Sequence, residues 1–349
     1  MTVRVQPGLL SVFVLLLFSM VACQAQAAEA PEPVGEASTP VGEASTPASE
    51  PSAVQPDQPE ATAIPGTSPA SLPANRLDHG GDVDSAATAS KKLVTSGDVF
   101  IQGLYERPFN ANTMDKYFPY VDIVDIQGFK DETWGYATIT LSGTDADGHL
   151  PGQYAVEIDL NRDGRGDWLI RATSVNSTDW GRQGVQAWKD SNPDLGGAVA
   201  LRADNSPTAG DGYETLVFDQ GNGSLTDAAW VRISPSDPKT VEMAFKLEMI
   251  GSPTSYAMGA WAATNLDVAL FDHNDHMTHA QAGSPSPGYD VYPLKDLAEI
   301  DNTCRLAIGF QPTGMEPGLC ATIEQKIREE QNVAPEPPPQ QPPGRQPPD

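Results

Sequence analysis

The chain has 349 residues, 47 of them acidic and 21 basic, for a formal charge of −26 at pH 7. With no clustered Lys or Arg, that balance excludes a nucleic-acid-binding surface, which needs cations to replace the phosphate counterions. It suits a soluble exported protein and favours attraction of divalent cations.

Residues 1–8 are polar with Arg4 as their only charge, and residues 9–21 are almost continuously apolar. The apolar run is too short to span about 30 Å of hydrocarbon. Its length and flanks are those of a signal-peptide core. It ends Met20-Val21-Ala22-Cys23, which resembles the lipobox at which bacterial lipoproteins are cleaved and diacylated. The resemblance implies a signal peptide over residues 1–22, lipid on Cys23, and an extracytoplasmic protein anchored to the cell membrane, at the cell surface or in the periplasm. Buried acyl chains hold at about 0.8 kcal/mol per CH₂. A conventional signal peptide cleaved within residues 24–30 is the alternative.

Residues 23–94 are rich in Pro, Ala, Ser, Thr and Glu, and PVGEAST at 33–39 repeats at 40–46. Such a segment buries too little apolar surface to offset its ordering entropy, so a disordered, partly polyproline-like stalk is expected. A folded domain is expected over residues 95–331, a size that supports one full core. Strand-like alternation recurs there at 134–141, 153–160, 167–173, 184–189, 213–218, 229–234 and 241–249. In the last of these Val241, Met243, Phe245, Leu247 and Met249 share one face, with Glu242, Lys246 and Glu248 opposite. Gly, Asn, Asp and Pro separate the runs, which predicts an all-β, two-sheet β-sandwich. Trp134, Trp168, Trp188, Trp230 and Trp261 fall in strand-like runs and are expected to pack. Trp180, in the loop-like STDWG, is a candidate platform for the apolar face of a sugar ring, with core packing as the equal alternative.

With Cys23 lipidated, Cys304 and Cys320 remain, and an even remainder in an oxidising compartment predicts one disulfide. Two unpaired buried thiols are the alternative. Ile323 and Ile327 predict a short helix after it, and residues 332–349 form a Pro-rich tail.

The sharpest local pattern is Asp159-Leu-Asn161-Arg-Asp163-Gly164-Arg165-Gly166-Asp167. Oxygen side chains at positions one, three, five and nine, Gly at six and the Arg165 carbonyl at seven match what a Ca²⁺ ion requires of a tight loop. The loop resembles those of EF-hands, dockerins and thrombospondin-type repeats. It departs from the EF-hand where Ile170 replaces the bidentate Glu, and strands flank it; a plain hairpin turn is the alternative. Asp190-Ser-Asn192-Pro-Asp194 and Asp145-Ala-Asp147-Gly148 are partial echoes, expected to be turns. His273, His276 and His279, with Asp272 and Asp275, offer transition-metal donors, but a turn through Asn274-Asp275 favours a solvated loop. No Gly-x-Ser-x-Gly, His-Glu-x-x-His or Cys–His pairing is present, so no catalytic residue is assigned. Carboxylate pairs such as Asp122/Asp125 and Glu157/Asp159 are expected by chance in so acidic a chain.

The runs at 120–126 (YVDIVDI), 134–143 and 154–159 with its Asp-rich loop, then 241–245 and 259–261, resemble the DOMON-like sandwiches and family 9 carbohydrate-binding modules over residues 105–275. The resemblance implies a jelly-roll-like sandwich, often calcium-stabilised, that binds sugars or, in DOMON relatives, haem, for which Met258 and His276 are the suggestive ligands. The leading expectation is therefore a lipid-anchored, calcium-stabilised binding module for an extracellular ligand such as a glycan. A structural envelope or adhesion component and a secreted hydrolase with a carboxylate pair are the alternatives.

Overall fold

The computed structural model describes residues 67–201, 204 and 212–321. The expected signal peptide, Cys23, most of the stalk, the helix around Ile323 and the C-terminal tail lie outside these residues.

Two antiparallel sheets face one another. The first contains β1 (Asp78–Gly81), β3 (Ile123–Lys130), β4 (Trp134–Leu141), β10 (Asp237–Lys246) and β9 (Ala229–Ser234), in the order β1-β3-β4-β10-β9. The second contains β2 (Glu106–Arg107), β12 (Ile300–Asn302), β11 (Tyr256–Ala263), β5 (Gln153–Asp159), β6 (Trp168–Ala172), β7 (Val185–Lys189) and β8 (Thr215–Asp219), in that order. β13 (Leu306–Ile308) pairs with β11 beyond the end of β12. The alternation read along the chain decides which side chains enter. Val241, Met243 and Phe245 point into the core between the sheets, together with Tyr154, Val156 and Ile158 from β5 and Met258 from β11. Opposite them Glu242 faces out and pairs with Arg232 of the neighbouring strand at 2.7 Å. The predicted run to Met249 stops short of its end, because residues 247–250 turn into a 3-10 helix closed by Gly251 at φ 86°.

The outer face of the larger sheet is covered by a layer of loops and two short helices, α1 (His273–His276) and α2 (His279–Ala282). A second apolar cluster lies beneath this layer and includes Phe100, Tyr105, Trp261 and Phe271. Of the predicted core tryptophans, Trp168 joins the central core and Trp261 this second cluster, with Trp188 half-buried at its edge. Trp134 and Trp230 are also buried, but on the outer face of the smaller sheet.

The expected boundary at residue 95 is too late. Residues 78–81 form β1 and pair with β3 in register Asp78↔Gly128 to Gly81↔Asp125. Composition did not reveal this strand because its order comes from backbone pairing and not from side-chain burial. The Cys304–Cys320 disulfide is formed, with Cα atoms 4.9 Å apart. It lies against Gly80, where a Cβ would come within 2.7 Å of Cys320 Sγ, so β1 passes under the bridge only as glycine.

Candidate metal centre

Four carboxylates from both sheets meet at one corner of the sandwich. Asp82 follows β1 and Asp122 precedes β3. Glu106 of β2 and Asp301 of β12 are direct cross-strand partners. Like charges set opposite one another on paired strands repel, so the pairing calls for compensation. Glu106, Asp122 and Asp301 are fully buried and Asp82 is half-buried. Oxygens of Asp82, Glu106 and Asp301 lie within 4.8 Å of one another.

Each carboxylate uses one oxygen to fix its own orientation. Asp82 Oδ1 accepts from Val83 N at 2.9 Å, and Glu106 Oε1 from Ser85 Oγ at 2.7 Å. Asp122 Oδ2 accepts from Ser85 N at 3.0 Å and from the Tyr117 hydroxyl, and Asp301 Oδ2 from Ile123 N at 2.5 Å. The other oxygen of each, Asp82 Oδ2, Glu106 Oε2, Asp122 Oδ1 and Asp301 Oδ1, is buried and accepts no hydrogen bond from the protein. The nearest cation in sequence, Arg107, is turned to the opposite side, where Asp98 holds its guanidinium at 2.5 and 3.0 Å.

The electrostatics follow from that geometry. Burial pushes the Glu106 carboxyl up to about 10, with the charges of Asp122 and Asp82 adding to the effect. Burial likewise raises Asp122 to about 7 and Asp82 to about 6. Asp301 is raised well above its ordinary range by burial and then by the charges of Glu106, Asp82 and Asp122. A buried polar atom without a partner is expensive. Asp82, Glu106 and Asp301 converge, with Asp122 close enough for its charge to act on Glu106; an all-carboxylate set with no imidazole or thiolate suits a hard divalent cation better than a transition metal.

The sequence-predicted loop is built differently. Between β5 and β6, Asp159 is fully buried, and its oxygens accept from the backbone N–H groups of Arg162 (2.5 Å), Asp163 (3.3 Å) and Gly164 (2.8 Å). Asn161 Oδ1 accepts from Asp163 N at 2.9 Å, Asp163 Oδ1 from Arg165 N at 3.0 Å and Asp167 Oδ2 from Leu160 N at 2.6 Å. Gly164 takes φ 89° at the turn. The acids of this loop do not make a three-membered group within 4.8 Å; among the described residues the other such group is Asp145, Asp147 and His149. There Asp145 Oδ1 accepts from Asp147 N and His149 N in an exposed turn. In the 190–195 loop Asp190 caps the Asn192 and Leu195 N–H groups at 3.1 and 3.4 Å.

The three histidines do not converge. His273 is buried against Tyr105 and Trp261, and burial holds it down to about 3. His276 pairs with Asp272, and His279 stacks on Phe100 with its Nδ1 3.9 Å from Asp204. Met258 sits in the core between the sheets, whereas α1, which carries His276, is in the layer over the outer face. The suggested haem pair is therefore divided by the larger sheet. Of the carboxylate pairs, Asp122 belongs to the acidic corner, while Asp125 accepts from Gln127. Glu157 accepts from Arg305 Nη2 (2.8 Å), Tyr213 Oη (2.9 Å) and Trp261 Nε1 (3.3 Å), a closed internal network. Trp180 donates its indole N–H to the Ala70 carbonyl at 2.9 Å, and the Arg232 guanidinium stands 4.4 Å over its ring.

Sequence reasoning missed the acidic corner. Asp82 lay inside the expected stalk, and Glu106 and Asp301 meet only through strand pairing. The one local signal was Asp122, an acid embedded in the apolar run YVDIVDI. No protein-family model, curated protein or solved structure matches this chain.

Proposed function

We propose that this protein is a non-catalytic, extracytoplasmic binding module, lipid-anchored through Cys23, whose β-sandwich is stapled by a divalent cation, calcium by ligand chemistry. One observation carries the reading: the buried Glu106, Asp122 and Asp301 and the half-buried Asp82, from segments of both sheets, each leave one buried oxygen without a partner, and Asp82, Glu106 and Asp301 lie within 4.8 Å of one another. Asp82, Glu106, Asp122 and Asp301 would hold the ion; carbonyls and water complete the six to eight oxygens that Ca²⁺ takes. The role is structural, because the ligands are buried and the ion would link strand ends, not face a cleft.

The strand order, in which β3–β4, β9–β10 and β1 alternate with β5–β8 and β11–β13 between the sheets, supports a jelly-roll-like description. The likeness to family 9 carbohydrate-binding modules and the position of Trp180 beside a surface concavity of about 180 Å³ support a glycan as the extracellular ligand. The Ala70 carbonyl holds the indole N–H of that ring and Arg232 stands over its face, so a sugar would have to displace the guanidinium to stack there.

The test is terbium luminescence on the purified protein. Tb³⁺ substitutes for Ca²⁺, and the Tyr117 hydroxyl on Asp122 provides a nearby sensitiser. Sensitised emission that calcium displaces, and that Asp301→Asn and Glu106→Gln both remove, supports the staple. Emission that survives both substitutions would assign the ion elsewhere and sink the reading.

A further inference from the structure

The outer face of the smaller sheet carries a strip of aromatic rings: Phe129, Trp134, Tyr136 and Trp230, with Trp180 packed at its edge. Cations stand over three of these rings. Arg182 stands 4.9 Å over Trp230, Arg232 4.4 Å over Trp180 and Lys246 5.8 Å from the centre of Trp134. On this strip lies the segment TSPASLP, residues 67–73.

The way it is held is distinctive. The segment has no regular secondary structure and adds no strand to the sheet. Pro69 is buried, Leu72 packs on the aromatic cluster and Pro73 is half-buried, while Ala70 and Ser71 face solvent. Inward residues at 69 and 72 are three apart, the repeat of a polyproline II helix. The indole of Trp180 donates to the Ala70 carbonyl at 2.9 Å. An aromatic surface that receives a side chain of an extended segment, plus an indole N–H on its backbone carbonyl, is the means by which aromatic-lined grooves recognise extended proline-rich peptides. Further prolines crowd the sequence on both sides, through residues 31–65 and 335–348.

We propose that the outer face of the smaller sheet is a recognition groove for extended, proline-containing peptide, and that residues 67–73 are a ligand held there in cis. The groove is then exchangeable: a peptide of the same chemistry, from another protein or another copy, competes with the chain's own segment. The proposal does not depend on the cation.

Arg76 makes the exchange measurable on the unaltered protein. It is exposed, it follows the seated segment directly, and no other Lys or Arg occurs between Arg4 and Lys91. A synthetic peptide of residues 64–75 should displace the segment and accelerate tryptic cleavage after Arg76. The same peptide with glycine at the positions of Pro69, Leu72 and Pro73 should not. A second measurement reads affinity: with Pro69→Gly and Leu72→Gly in the full chain, labelled peptide should bind about tenfold more tightly than to the wild type. Adding Trp180→Phe should weaken that binding about fivefold through the lost indole hydrogen bond. Cleavage at Arg76 that is indifferent to the peptide overturns the proposal, as does peptide binding indifferent to Trp180→Phe.

Discussion

Asp122→Asn gives the acidic corner its sharpest test, because it should make the protein more stable and at the same time remove its response to calcium. The carboxyl of Asp122 is raised from 3.8 to about 7 by burial and neighbouring charge. A raised acid favours the protonated folded state, so its contribution is fully present below the unfolded value and is lost as pH rises through the folded one. At about pH 8 without cation, ionised Asp122 opposes folding by up to about 4 kcal/mol, at roughly 1.4 kcal/mol per pH unit. Sharing of the repulsion with Asp82 and Glu106 reduces what one substitution recovers to about 2–3 kcal/mol. An asparagine keeps the oxygen that accepts from Ser85 N and Tyr117 and offers an N–H₂ to the three remaining carboxylates. Thermal unfolding by circular dichroism in chelator at about pH 8 should show the variant's Tm raised by about 5–10 °C, at roughly 2–4 °C per kcal/mol for a domain of this size. At about pH 3 the gain should vanish, since both states are then largely protonated. Calcium at about a hundred times its Kd should stabilise the wild type by about 2.7 kcal/mol and the variant hardly at all. A variant less stable than wild type in chelator at about pH 8, or one that keeps the full calcium response, refutes the reasoning.

Other residues divide the possibilities further. Asp163→Ala, at a half-buried position of the 159–167 loop, should leave the calcium-induced rise in Tm intact; its loss would move the ion to that loop. Arg305→Met should cost about 3–5 kcal/mol in urea unfolding, because it leaves Glu157 buried without its guanidinium. Adding Glu157→Gln to Arg305→Met should recover part of that loss, and a strictly additive double variant would show that the pair is not coupled.

How much of this was readable in advance depended on whether the information was local. β4 and β9 have the bounds their alternation indicated, since successive side chains of a strand point to opposite faces. The cysteine pairing was readable because few combinations existed. Asp159 was visible as a motif, and its carboxylate caps the backbone N–H groups of the turn, as Asp does in tight turns. The corner formed by Asp82, Glu106, Asp122 and Asp301 was not readable. Its spacing is fixed by β1–β3 and β2–β12 pairing, and no periodicity within any one segment encodes a register between segments. The same holds for Trp180, whose loop position suggested an open ring, whereas a segment 110 residues earlier in the chain lies on it.

If the chain is anchored through Cys23 as proposed, the devices that hold residues 67–85 have a common consequence. β1 is four residues long and sits at the edge of its sheet, so tension applied from the N-terminal side would act first on its pairing with β3. Three attachments stand in series along that path. The aromatic strip holds residues 67–73, the disulfide lies over Gly80, and the acidic corner takes Asp82 immediately after the strand. With a cation in the corner, Asp82 is joined to Asp122, Glu106 and Asp301, and peeling must break ion ligation that spans both sheets. Without it, Asp82 has no such link to those acids. Amide hydrogen exchange should therefore report chelation first at residues 78–85, before β4, β10 or β11 lose protection. Uniform loss of protection across both sheets would mean that the ion supports the sandwich as a whole and not the attachment of its N-terminal edge.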